Sequence, residues 1–578
     1  MRKGKFLRSI FVVLIIVVVC NIVGNSFYKR FDLTQDKRYT LSPASREILQ
    51  NLNDSIRFSV YLHGDLPVAY SKMKREISDM LNEVQRIGGS HIEILFLDPL
   101  QKAKTDKEKQ AIYQRLVENY GLMPTPISKE NSEGKIEQQL IFPSMIVSTP
   151  QQFVPVNLLA SATGATLEEQ IHSALQQLEY QVVKSIKQLT SSERKTVAFI
   201  TNHGEYPYQF VYDFTMSLRE SYNVERITTQ QLWDSLAKYT AVVLAQPLTE
   251  FSDSSKFILD QYCMRGGSIL FASDNADFDA TALQQAPAVD VLPRNLNVSD
   301  VLFNWGVRIN PTILIDRQSA KIAFNVNPPT MTPRFEAAPW YYYPLLRPAK
   351  NAHAITTNID VVKAEFASNV DTVEGNGFIR KTVLLESSSR ARTIGLPNTI
   401  GFDILKIPPT DEFFNRYNLP VAVLLEGQFN SLYANRQAPF AVQKNAQLKQ
   451  SLDDAKIIVI GDGSIMKNEI DATTGRPRPL YYYTYFAVDK RNYFGNKEFL
   501  LNAMDYLCGE HDLLTIRARE FKIRLLNKNR IHNEIAYWKM FNIVLPILLV
   551  VIAGVILYIV RTRKYVKKHV SKTNNSLS

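Results

Sequence analysis

Two apolar stretches, one near each end of the chain, enclose a long run of soluble-looking sequence. The first covers residues 10–23 and follows Arg2, Lys3, Lys5 and Arg8, while the second covers 541–560 and precedes Arg561, Arg563, Lys564, Lys567 and Lys568. A helix that crosses a bilayer needs about 20 apolar residues. The second stretch meets that length with Asn542 as its strongly polar member, and the first meets it when Phe27 and Tyr28 extend it to residue 28. Basic residues flank the pair on the outside, so the positive-inside rule places both termini in the cytoplasm. The expected layout is a cytoplasmic start (1–9), a span (10–28), a periplasmic body, a second inner-membrane span (541–560) and a cytoplasmic tail (561–578). A cleaved signal is the competing reading of the first stretch. Residues 20–26 offer no small-x-small site, and Val17-Val18-Val19 lacks the small residue expected before a lipid-modified Cys20. An uncleaved anchor is therefore expected.

The body between the anchors holds about 500 residues, enough for about three domains. A hydrophobic content of 45% is well above that of disordered chains. The net charge of +11 suggests nucleic acid at first sight, but the residues flanking the two anchors supply most of the excess. A further basic run at 517–530, just before the second anchor, suits anionic lipid head groups. The expected partner is the lipid bilayer, with no nucleic acid. Three cysteines, Cys20, Cys263 and Cys508, are too few for a disulfide framework, and two separate buried thiols are expected at 263 and 508.

Residues 29–165 read as a small α/β domain. A strand at 56–62 is followed by an amphipathic helix at 72–87, a strand at 92–97, a helix at 105–120 and two strands at 145–148 and 153–157. That order is thioredoxin-like, and with no Cys-x-x-Cys it is a scaffold and not an oxidoreductase. A connecting helix spans 166–190, opened by the capping pair Thr166 and Glu169. Its apolar stripe, Leu167, Ile171, Leu175, Leu178, Val182, Ile186 and Leu189, fits packing on its own domain or against a partner.

Residues 191–300 show continuous apolar strands at 196–200, 241–245 and 268–272 alternating with helices, the pattern of a parallel sheet covered on both faces. The pattern resumes over 451–515, with a strand at 456–460 and a helix at 497–507. The intervening 301–450 reads as a β-rich insertion, and 516–540 as a membrane-proximal segment. The expected fold class is thus α/β: a thioredoxin-like domain plus a glutamine-amidotransferase-like or flavodoxin-like parallel-sheet domain, flanked by two transmembrane helices.

Chemistry-bearing motifs are sparse. There is no Gly-x-x-x-x-Gly-Lys-Ser/Thr loop, so P-loop ATP hydrolysis is excluded. Gly461-Asp462-Gly463 resembles the start of a dinucleotide loop, but Met466 holds the third glycine position and a plain turn is the better reading. The eight histidines include no His-x-x-x-His pair, and no Gly-x-Ser-x-Gly elbow exists. Neither a metal nor a cofactor is expected. His203 and Glu205 follow the first strand of the parallel sheet, where such sheets place ligands. Two similar aromatic runs, Tyr341-Tyr342-Tyr343 and Tyr481-Tyr482-Tyr483, suit a sugar-stacking or protein-binding surface, or strands half covered by loops. These eight residues are the candidate ligand-binding set.

Several short motifs in order along the chain resemble the GldG family, the gliding-motility-associated auxiliary component of an ABC transporter in Bacteroidetes. They are Arg30-Phe31-Asp32-Leu33-Thr34 with Arg38-Tyr39-Thr40-Leu41-Ser42, Thr201-Asn202-His203-Gly204-Glu205, and Gly306-Val307 leading to Ile315-Asp316. Leu425-Glu426-Gly427-Gln428-Phe429, Val459-Ile460-Gly461-Asp462 and Asn502-Ala503-Met504-Asp505-Tyr506-Leu507 complete the set. The resemblance implies an ABC permease and a separate P-loop ATPase as partners. It also implies that 195–275 and 456–507 form one domain similar to that of intraflagellar-transport proteins, related to glutamine amidotransferases without their catalytic residues. The expected function is a non-enzymatic, membrane-anchored accessory subunit that binds a ligand or an envelope or motility protein. A scaffold without transport and an unrecognised hydrolase at His203 and Glu205 are the competing readings.

Overall fold

A computed structural model describes residues 40–517 and 534–574, apart from short internal segments of which 131–135, 160–166, 442–446 and 483–493 are the longest. The first apolar stretch, the cap expected from Thr166 and Glu169, Tyr481 and Tyr483 lie outside what is described. The chain divides into two compact units, Met1–Glu520 and Phe521–Ser578.

In the first unit, helix α1 (Pro43–Gln50) opens with Ser42 as its cap, whose hydroxyl accepts from the Ser45 amide. Glu179, from the long helix, accepts from the Ser42 amide and the Ser45 hydroxyl, each at 2.6 Å. The first sheet combines β1 (Ile56–Val60), β2 (Ile92–Phe96), β5 (Ser144–Ser148) and β6 (Phe153–Asn157) in the order β2-β1-β5-β6. Its β1–β2 pair is parallel, and β1–β5 and β5–β6 are antiparallel. Helix α2 (Val68–Gly88) follows β1 and α3 (Asp106–Glu118) follows β2, the latter with the Thr105–Glu108 capping box. A hairpin of β3 (Thr125–Glu130) and β4 (Ile136–Ile141) precedes β5; no alternation in the sequence had marked it.

The stripe of the connecting helix α4 (Leu167–Thr190) packs inside the protein from Ile171 onward, while Leu167 is exposed. Ile171, Leu178, Val182, Ile186 and Leu189 join Phe58, Ile77 and Val147 in the core of the first sheet. Its Tyr180 and Val183 pack instead on Leu513 and Ile516.

The second sheet has ten strands. Its parallel part comprises β7 (Thr196–Ile200), β8 (Asn223–Ile227), β9 (Tyr239–Ala245), β10 (Ser268–Ala272) and β15 (Ala455–Ile460). They lie in the order β8-β7-β9-β10-β15, all pairs parallel, which is 2-1-3-4-5 in chain order. Helices α5 (Tyr212–Arg219), α6 (Thr229–Asp234) and α7 (Asp253–Met264) connect them. Four strands from the 301–450 stretch extend the sheet, β11 (Ser319–Asn325), β12 (Phe335–Pro348), β13 (Gly377–Glu386) and β14 (Pro420–Phe429), and the two-residue strand Val362–Lys363, paired with β12 off the main path, is the tenth. β14 pairs antiparallel with β15, Ala422 opposite Ile460 through Gly427 opposite Ala455. The physical reason lies in β14 itself, where Val421 through Leu425 are all buried, so the strand needs cover on both faces.

Two cores sandwich this sheet. Phe214 and Leu218 of α5 with Phe499, Ala503 and Met504 of α9 (Asn496–Leu507) fill one face, and Ile258, Leu259 and Tyr262 of α7 with Trp305 of α8 (Ser299–Trp305) fill the other. Each such side chain, once buried, contributes about 1.5–3 kcal/mol. Cys263 and Cys508 are both free and buried. The second unit contains α10 (Ile535–Asn574), with Pro546 inside it. Among the described residues its Tyr537–Arg563 portion, 27 residues, is the one helix long and apolar enough to cross a membrane.

Candidate functional site

Every parallel strand releases its chain at the same edge of the sheet, and polar residues gather there. Past β7 come Asn202, His203 and Glu205; past β9, Gln246; past β10, Ser273 and Asp274; past β15, Asp462 and Ser464. Most are buried, so each needs a partner.

At the end of β7 the partners are internal. Gly204 sits at φ +75°, which folds the loop back on itself. The Glu205 carboxylate accepts from the His203 amide at 2.7 Å and lies 3.2 Å from His203 Nδ1. His203 Nε2 is 3.1 Å from the Ser255 hydroxyl, which also meets Thr229 Oγ1 at 3.1 Å. The imidazole stacks on Phe251, with centroids 3.8 Å apart. Carboxylate, imidazole and hydroxyl in a row is the order of an acyl-transfer triad. Here all three residues are buried, Ser255 sits in the first turn of α7 below its Ser252 cap, and neither cavity described below includes them. The arrangement ties a loop to a helix.

Toward β15 the edge becomes acidic. Asp462 accepts from the Ser464 amide and hydroxyl, both at 2.7 Å, and from the Glu365 amide at 2.8 Å. Burial, reinforced by the nearby Asp274 charge, pushes Asp462 up to about 8 in spite of those donors. Burial likewise pushes Asp274 up to about 6, with Arg294 and the Gln246 amide pulling the other way. The Tyr206 phenol is raised far above its ordinary range by burial and by Asp274, Asp462 and Glu365.

This acidic cluster adjoins a cavity of about 490 Å³. Ser464 and Glu365 line it, and so do Tyr343 and Tyr482, one ring from each of the two aromatic runs. Three cation–ring pairs stand in its wall: Lys363 over Tyr343 at 5.3 Å, Arg478 over Tyr482 at 5.4 Å and Lys467 over Phe210 at 5.6 Å. Glu365 pairs with Lys363 at 2.5 Å and Asp471 with Arg478 at 2.6 Å. Burial raises the Glu365 carboxyl, but Lys363 and Lys467 more than offset that and hold it below its ordinary value.

The structure thus separates the sequence candidates. His203 and Glu205 share the closed network, and Tyr343 and Tyr482 share the cavity. Tyr341 and Tyr342 are buried, packing on Phe414 and Trp340. Sequence reasoning passed over Ser255, Lys363, Lys467 and Arg478, which lie far from the aromatic runs in sequence or carry no motif. The alternation of apolar and charged residues in Val362-Lys363-Ala364-Glu365 was the available signal. A second, larger cavity of about 650 Å³ is lined by α8 with Arg294, Arg308 and Arg436, and takes in none of the candidate residues.

The fold and this edge define an α/β protein with a ligand-sized cavity at the carboxyl ends of its parallel strands. Residues 194–503, more than half of the chain, match the family described as ABC-type uncharacterized transport system, an auxiliary component, and the chain belongs to that family. Residues 35–148 match a domain of unknown function. No curated protein matches the chain. A solved structure described as "mmIFT52 N-terminal domain" aligns with 55% of this chain and 98% of its own, at 12% identity and a TM-score of 0.29. Membership in a transport-system auxiliary family gives the protein an accessory role beside ABC transporter components and an association with the membrane.

Proposed function

We propose that this protein is a GldG-like accessory subunit of an ABC transporter linked to gliding motility in Bacteroidetes. Both termini lie in the cytoplasm, two helices anchor it in the inner membrane, and the body is periplasmic. An ABC permease and a separate P-loop ATPase are its partners, and envelope or motility proteins can join them. The body does not catalyse; it takes up a ligand or an envelope partner and passes its state to the permease. The strand order β2-β1-β5-β6 with helices after β1 and β2 supports the thioredoxin-like reading of 29–165. The order 2-1-3-4-5 supports the flavodoxin-like reading of the larger domain, whose ligands bind beyond the carboxyl strand ends.

One observation carries the ligand-binding role. Two aromatic runs far apart in sequence each give one ring, Tyr343 and Tyr482, to a single cavity at that edge. His203 and Glu205 then hold the same edge in shape from its closed end.

The test is purification of the tagged full-length protein from gently solubilised membranes, with mass spectrometry of its companions. A permease and a P-loop ATPase at similar abundance are expected. Recovery of envelope proteins with neither subunit would overturn the transporter reading in favour of a scaffold.

A further inference from the structure

We propose that the cavity between Tyr343 and Tyr482 takes a small ring compound bearing a carboxylate or a phosphate, and that Lys467 receives the anion. The inference rests on the ligand-binding reading above and names the ligand's chemistry.

Three cations line this cavity, and they are not equivalent. Lys363 is held by Glu365, and Arg478 by Asp471. Lys467 forms no ion pair among the described residues; its ammonium lies over the Phe210 ring, with Glu365 as a more distant charge. An ammonium in a concave wall without an acid of its own is a point charge ready for an incoming anion. The two paired cations hold their positions against Tyr343 and Tyr482, so those rings keep fixed orientations. Tyr343, Tyr482, Phe210 and Phe494 together supply flat apolar surface for a ring. Asn468 and Asn496 add amide groups suited to hydroxyl or carbonyl substituents. A purely apolar ligand would leave the Lys467 ammonium desolvated and unpaired, at a cost that disfavours it. A cation would meet three like charges against Glu365 and Glu469. A ring with one anionic substituent satisfies both kinds of wall.

The experiment is calorimetric titration of the full-length protein in detergent with glucuronate, glucose 6-phosphate and glucose. Binding of a charged probe is expected, with glucuronate and glucose 6-phosphate separating a carboxylate from a phosphate ligand. Lys467→Ala should weaken that binding about tenfold, the scale of one charge-assisted contact. Lys467→Arg should retain most of it, and added salt should weaken the wild type more than Lys467→Ala. Binding of glucose as tight as that of the charged probes, equal affinity in Lys467→Ala, or no binding of any probe would overturn the proposal. Companion subunits are recovered alongside Lys467→Ala if the accessory role holds, so the two readings fail separately.

Discussion

Two places on one sheet edge use the same kinds of residue to opposite ends. Beyond β7, a histidine, a glutamate and two hydroxyl residues satisfy one another in the interior, with the imidazole flat against Phe251. Beyond β15, lysines, an arginine and tyrosines stand around open space. Position at the carboxyl end of a parallel strand therefore does not make a residue a ligand contact. What decides is whether its polar atoms are already used. A closed network should appear in stability and an open wall in binding, which yields an ordered set of tests.

The largest effect is expected from Gly461→Ala, at the root of the open end. A Cβ there would lie 2.1 Å from the Ser368 carbonyl oxygen and 3.0 Å from Val370. The Gly461 backbone is fixed on both sides, its amide bonded to the Val421 carbonyl and its carbonyl to the Ser368 amide, each at 2.8 Å. Neither segment can withdraw, so a loss of roughly 3 kcal/mol or more is expected in urea unfolding of the purified protein. A loss below about 1 kcal/mol would show that this junction gives way easily. His203→Ala comes next, at about 2–4 kcal/mol, because it leaves a hole beside Phe251 and a buried Glu205 carboxylate short of a partner. If His203→Ala instead unfolds like the wild type yet abolishes transport, the closed end is the functional one and the comparison is reversed.

The acidic cluster between the two ends predicts a pH dependence of definite sign. The ordinary aspartate value is 3.8 and Asp462 is raised to about 8, so the folded state keeps a proton that the unfolded chain has released. Its contribution is fully present below about 4 and is lost as the pH rises toward 8. Asp274, raised to about 6, acts with the same sign over the lower part of that window. Unfolding free energy should fall as pH rises from about 4 to 8, and Asp462→Asn should flatten the profile. A wild-type profile that rises across this range would mean that the hydrogen bonds to Asp462 outweigh its burial.

How much of this the sequence could tell depended on how far apart the cooperating residues lie. The parallel strands were legible because continuous apolar runs such as 241–245 and 268–272 need cover on both faces. The helix over 105–120 was legible as one local run, and the structure adds the Thr105–Glu108 box that caps it. The joining of β13 and β14 to the main sheet was not, because pairing partners as distant as Ala422 and Ile460 leave no local periodicity. The same holds for the site. His203 and Glu205 form a local motif, but Ser255 completes their network from 52 residues away. The tyrosine runs stood out by composition, yet which ring of each faces a cavity depends on strand register, and Tyr341 and Tyr342 went to the interior.

The smallest stability effect, and the sharpest test of the open end, is Tyr482→Leu. Its ring touches the cavity and carries Arg478 on one face, so its loss removes a half-exposed cation–ring contact and little core. Such contacts contribute about 0.5–1 kcal/mol, and Asp471 still holds Arg478 at 2.6 Å when the ring is gone. Unfolding should therefore shift by about 1 kcal/mol or less. Binding of a ring compound should weaken by at least as much as stability does, because the leucine offers no flat face for stacking. Equal unfolding with undiminished binding would remove Tyr482 from the contact surface and leave Tyr343 alone to represent the aromatic runs. A large loss of stability would mean that the supposedly open wall is as fully engaged as the His203 network, and the contrast between the two ends would disappear.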